Sequence, residues 1–164
     1  MSTIAERTDL PRVLLIEDMS GDAAMMKLAF RRSVMPTHVT VATSAEIGLA
    51  MLRQEGAYTA TALPDIILLD LNLPKMRGLE FLSRVKADPA LRIIPVVVLS
   101  SSDAASDLVA AYNDYANGFV IKPISLDDYD NIVQIIEDYW FSLVQTLPNS
   151  DKVEAPVART VVLS

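Results

Sequence analysis

The sequence predicts an α/β protein: a three-layer α/β/α sandwich around a five-stranded parallel sheet. Three observations carry that prediction. Short apolar runs alternate with helix-period segments along the chain, the order that builds βαβ units. The runs at 13–16, 66–69 and 94–99 lack polar/apolar alternation, as strands covered on both faces do. Polar side chains gather where these runs end, and open parallel sheets build their sites at the carboxyl ends of strands.

Each element follows from local chemistry. The first run, RVLLIE at 12–17, precedes a helical stretch over 22–32 that mixes Ala24, Met25, Leu28 and Ala29 with Lys27, Arg31 and Arg32. HVTVA at 38–42 reads as a short strand. Thr43-Ser44-Ala45-Glu46 has the form of a capping box, opening a helix that stops at Gly56. A loop over 57–63 leads to a strand at 65–69, and a helix over 79–87 ends at Asp88-Pro89. The buried run at 94–99 precedes a helix over 103–115 and a short strand at 118–121. Ser125 then caps a last helix, with Asp127 and Asp128 in the first turn where they favour the helix dipole. Right-handed crossovers connect these units.

The expected organisation is an extension at 1–10, one domain over 11–147, and a mobile polar tail over 148–164. Within that tail Thr160-Val161-Val162-Leu163 can pair with something. The 164 residues suffice for one full core, and 51% apolar with 21% charged residues is ordinary for a globular domain. A net charge of -7 argues against nucleic-acid backbone as the partner. There is no cysteine, so disulfides and thiolate metal sites are excluded. The apolar runs are too short to span a membrane, and MSTIAERTDLPR is no secretory signal. A cytoplasmic protein without membrane or nucleic-acid partners is expected.

Glu17 and Asp18 follow the first strand, Asp70 ends the third, Ser100-Ser101-Ser102 follow the fourth, and Lys122-Pro123 follow the fifth. In a parallel sheet these groups converge on one edge. Three carboxylates packed together repel, and a cation must neutralise them or their pKa values rise. No His or Cys accompanies them, so a hard, oxygen-ligated ion is expected: Mg2+, with Mn2+ as its substitute. Asp70, at the end of a central strand, stands where a nucleophile would. Lys122 can pair with it or with a phosphoryl oxygen, and Ser100 can donate a hydrogen bond to such a group. Phosphoryl transfer onto a carboxylate uses all of them.

ED at 17–18, LLDLNLP at 69–74, VVLSSS at 97–102 and FVIKP at 119–123 together resemble a two-component response-regulator receiver domain over about residues 11–145. Each piece is weak alone, whereas the ordered set is specific. The resemblance implies the flavodoxin-like (βα)5 sandwich and a signalling module rather than an enzyme. It implies Asp70 as phospho-acceptor from a sensor histidine kinase, and Glu17, Asp18, Asp70 and the Asn72 backbone carbonyl as the metal site. Ser100 and Phe119 match the switch pair, Lys122 the phosphoryl-binding lysine, and Pro123 a position where the Lys-Pro bond is usually cis. DYW at 138–140 in the final helix resembles small regulators paired with bacteriophytochrome-type kinases. Asp114-Tyr115 departs from the Leu-Gly common before the last strand, and Phe119 lacks the hydroxyl of the commoner Tyr.

The same residues admit other readings. Asp70 alone could simply form a turn; its partners at matching strand ends favour chemistry. Ser20 and Asp22 are better placed than Glu17 and Asp18 to cap the first helix. Ser102 or Asp103 is expected to cap the helix after the fourth strand, and Phe119 to be a partly packed aromatic that moves. An Asp-nucleophile phosphatase would need an acid/base two residues after Asp70, where Asn72 stands. A flavin binder would need a phosphate loop where Glu17-Asp18 would repel it. The alternative closest to the receiver is a receiver-like interaction module that takes no phosphate, disfavoured because no key position is missing. No output domain is expected to follow, so output would pass through protein contacts. Trp140, Phe141, Leu143 and Val144 extend the last apolar stripe past the expected sheet edge, which suggests a homodimer seam.

Overall fold

The computed structural model describes residues 10–101, 110, 111, 113, 116–138 and 159–161. The chain order is β1 (Arg12–Ile16), α1 (Ser20–Arg32), β2 (His38–Ala42), α2 (Ala45–Leu52), a 3-10 turn (Gly56–Tyr58), β3 (Ile66–Asp70), α3 (Gly78–Ala87), β4 (Val96–Ser100), β5 (Gly118–Ile121), α4 (Leu126–Ile136) and β6 (Arg159–Val161). The strands form one sheet in the order β2-β1-β3-β4-β5-β6. All neighbouring pairs are parallel. The five expected strands are therefore present, with β1, β3, β4 and β5 inside the six-stranded sheet.

The continuous apolar runs follow from burial on both faces. Leu14, Ile16, Ile67, Leu69, Val96, Val98 and Phe119 join a core cluster with α2 and α3. The intervening Val13, Leu15, Ile66, Leu68, Val97, Leu99 and Val120 join another with α1 and α4. Successive side chains in a strand alternate faces, so a layer on each side demands an apolar residue at every step. Both layers bring their helices against the sheet and leave the strand ends to the polar groups.

Several boundaries differ from the sequence expectation. Ser44 caps α2 by accepting from Ile47 N at 3.1 Å, but Glu46 does not complete a capping box. Its carboxylate instead accepts from Met76 N at 3.0 Å, tying α2 to the loop before α3. The helix ends at Leu52 rather than Gly56, because Gln54 and Gly56 take positive φ of 56° and start the 3-10 turn. Neither Ser20 nor Asp22 caps α1: Met19 is the cap residue and no side chain bonds there. Ser125 caps α4 as expected, accepting from Asp128 N at 3.3 Å. Residues 110, 111 and 113 are helical, while the remainder of the expected 103–115 helix, with its Ser102 or Asp103 cap, lies outside the described residues.

Two departures concern the end of the chain. A sixth strand lies within the segment expected to be a mobile tail: Arg159, Thr160 and Val161 register with Gly118, Phe119 and Val120 of β5. Thr160 and Val161 of the TVVL segment do find a partner, and it is the β5 strand of their own chain. Trp140, Phe141, Leu143 and Val144 lie outside the described residues. Among the described residues no helix is long and apolar enough to cross a membrane.

Candidate phosphoryl-acceptor and metal site

The strand ends bring Glu17, Asp18, Asp70, Ser100 and Lys122 to one edge of the sheet. Register explains much of this. Asp70 pairs with Leu99 across β3 and β4, Ser100 with Ile121 across β4 and β5, and Lys122 N donates to Ser100 O at 2.7 Å. Alternation explains more: Glu17 continues the Val13/Leu15 face, Asp70 the Ile66/Leu68 face and Lys122 the Val120 face. All three runs belong to the cluster shared with α1 and α4. The three charged groups therefore meet on the α1 side.

Glu17, Asp70 and Ser100 are buried, and Lys122 is only 10% exposed in its side chain. The Lys122 ammonium contacts Glu17, Asp22 at 2.9 Å and Asp70 at 3.2 Å. Asn72 N donates to Asp70 Oδ1 at 3.0 Å, and its side-chain amide donates to Ser101 Oγ at 3.2 Å. One acceptor oxygen is thus fixed by the backbone and the other by the lysine. Gly78 closes the loop behind it, its N–H donating to Leu71 O at 3.3 Å. A Cβ at position 78 would stand 2.5 Å from Asp70 O.

Burial and the adjacent Asp70 carboxylate push the Glu17 carboxyl up to about 8, against the pull of Lys122. Burial also opposes the Lys122 charge, yet hydrogen bonds to Glu17 and Asp22 and the field of Asp70 hold its pKa above the ordinary lysine range. Both shifts have one origin: a buried space with more carboxylate than cation. Glu17, Asp18 and Asp70 each offer one oxygen within 4.8 Å of the others. An all-oxygen, carboxylate-rich donor set suits a hard divalent ion, so these residues fit a metal.

Two expectations need correction. Phe119 is 2% exposed and lies inside the α2/α3 core cluster rather than half-packed, because its parity in β5 directs it into that layer. The Lys122–Pro123 peptide is trans, not cis. One site residue escaped the sequence reading. Asp22, taken for a helix-cap candidate, turns its carboxylate to Lys122. The signal was available: Asp22 lies in the first turn of the helix that follows the acidic pair, on the side to which strand parity sends Lys122.

Residues 13–138 match the family model of the response regulator receiver domain. The chain belongs to the response regulator receiver family. Response regulator Rcp1 of Synechocystis sp. is 36% identical over 146 residues, 88% of this chain and 99% of the relative. The Mn(2+)-bound form of Rcp1 superposes with a TM-score of 0.75. The phosphorylated cyanobacterial phytochrome response regulator RcpA gives a TM-score of 0.78 at 38% identity, covering 82% of this chain and 96% of that one. The bacteriophytochrome response regulator AtBRR gives 0.68 at 35% identity, covering 87% and 99%. The fold is that of the flavodoxin-like receivers, which are signalling proteins of two-component systems rather than enzymes. Receivers bind a divalent metal and are phosphorylated by histidine kinases, and this receiver carries an acidic cluster that fits the ion.

Proposed function

We propose that this receiver accepts a phosphoryl group on Asp70 from the phosphohistidine of a sensor kinase in a Mg2+-dependent reaction. One observation carries the reading: a buried carboxylate at the end of a central strand, held by one lysine and flanked by two further carboxylates that fit a metal. An Asp70 oxygen attacks phosphorus in line, the P–N bond breaks, and its electron pair leaves with the imidazole nitrogen. Glu17, Asp18, Asp70 and the Asn72 carbonyl would hold Mg2+, or Mn2+ in its place. When bound, the ion offsets charge on the phosphoryl oxygens. Lys122 and Ser100 donate to those oxygens in the product, and their movement biases a two-state surface made by the last strand and helices, with Phe119 packed beneath it.

The kinase is proposed to be of the bacteriophytochrome type. Support comes from DYW at 138–140 in the sequence and from the phytochrome-associated structures named above. Phosphotransfer from a purified kinase of that type should outpace transfer from an unrelated kinase at equal concentration; equal rates would remove this assignment.

The acceptor is tested by intact-protein mass after incubation with acetyl phosphate and Mg2+. A gain of one phosphoryl group is expected, absent in Asp70→Asn and absent with a chelator. No gain under any condition would move the protein to the interaction-module reading.

A further inference from the structure

Lys122 has three N–H donors, and three carboxylates receive them: Glu17, Asp22 and Asp70. These partners are not equivalent. Glu17 and Asp70 belong to the trio whose oxygens lie within 4.8 Å of one another, and Asp22 does not. Glu17 and Asp70 side chains are 2% and 3% exposed, whereas Asp22 is 40% exposed and belongs to α1. A cation entering the trio repels the ammonium and takes its two buried partners. Lys122 is itself too buried to be left unpaired at low cost. Asp22 is the carboxylate that remains.

We infer that Asp22 is a positioning residue that receives Lys122 when a divalent ion occupies Glu17, Asp18 and Asp70, and so promotes metal binding without touching the metal. The inference rests on the receiver reading of the trio. Its logic is competitive: lysine and metal contend for the same two carboxylates, and Asp22 gives the lysine somewhere to go. Without Asp22 the lysine stays on Glu17 and Asp70, and the ion must displace it at greater cost. The same retreat leaves Lys122 beside the acceptor, one short movement from an arriving phosphoryl oxygen.

A simpler effect would imitate this one. Asp22 is a negative charge near the site, and losing it weakens any cation by through-space attraction alone. A double-mutant cycle separates the two. Affinity for Mn2+ alone is read from the electron paramagnetic resonance signal of free ion in the wild type, Asp22→Asn, Lys122→Met and the double variant. Asp22→Ser serves as a second replacement, and circular dichroism checks that each variant is folded. Asp22→Asn should weaken Mn2+ binding about tenfold in the wild-type background and less than about twofold once Lys122 is Met. An equal loss in both backgrounds would reduce Asp22 to a distant charge, and no loss in the first would remove its role altogether. Either result overturns the inference while leaving the receiver reading intact. Failure of the wild type to bind Mn2+ would overturn the metal-dependent acceptor reading of the trio, and this inference with it.

Discussion

At the scale of single residues, side chains at strand ends were the most legible part of the site. A charged residue closing an apolar run must sit at a sheet edge, since inside the strand it would be buried without water or a partner. Glu17, Asp18, Asp70 and Lys122 are placed by this requirement. The role of a polar residue one turn into a helix is less legible, because capping and pairing draw on the same side chains, as Asp22 and Glu46 show. Glu137 carries no sequence signal of its role. It lies 1% exposed at the end of α4, accepting from Ser33 Oγ at 2.5 Å while its other oxygen has no partner. Burial raises its pKa, with the Ser33 bond pulling the other way and Asp138 adding to the rise. The folded state therefore holds the proton more tightly than the unfolded chain. Stability is greatest below the unfolded carboxyl range and declines as pH rises through the folded pKa. Glu137→Gln keeps an acceptor for Ser33 and removes the buried charge. We expect it to melt about 2–5 °C above the wild type at pH 7 and to lose that advantage near pH 4. A constant difference across pH would show that the carboxyl does not titrate with folding.

At the scale of elements, the connection from β3 to α3 sets the precision of the acceptor. Pro74 and Gly78 mark a turn in the sequence, but only the packing shows why position 78 must be Gly. The first residue of α3 rests on the backbone it has just left, so an added Cβ would meet Asp70 O at 2.5 Å and Leu71 Cα at 2.6 Å. Both atoms belong to backbone, which cannot rotate aside as a side chain can. Gly78→Ala should cost about 1–3 kcal/mol in urea denaturation and slow acetyl-phosphate labelling, because the clash pushes on the strand end that carries the acceptor. Normal labelling with normal stability would mean that α3 shifts freely, and that its start does not position Asp70. Helix ends were less legible for a related reason. Gln54 accepts a left-handed conformation because its side-chain amide donates to Thr61 O at 2.7 Å, a compensation seven residues away that no local pattern announces. Lys86 is a similar case. From α3 it donates to Arg92 O, Ile94 O and the Asn117 side chain at 2.8–3.1 Å, joining its helix to the turn before β4 and to Asn117, 31 residues away.

At the scale of the molecule, the sandwich was readable because two apolar layers leave a strong mark: strands without alternation between helices with one apolar stripe. The β6 strand left no such mark. Its three residues pair by backbone with the β5 edge, and backbone pairing asks little of side-chain pattern. The stripe that runs down α4 raises a further question of assembly. Tyr129, Ile132, Val133 and Ile136 are spent on the core, which accounts for the amphipathic helix as far as the sheet reaches. Trp140, Phe141, Leu143 and Val144 continue the apolar composition beyond that point. We propose that they form a homodimer seam, since a sequence this rich in large apolar side chains calls for cover. Charge at the centre of such a seam would be buried twice over in a symmetric pair, once from each copy. Trp140→Glu should therefore convert a dimer to a monomer by light scattering, with the labelling of Asp70 unchanged, because the seam and the strand-end site lie on separate parts of the chain. A variant that keeps the mass of the wild type would assign these residues to their own domain. A monomer that also loses labelling would mean instead that the second copy supports the acceptor site.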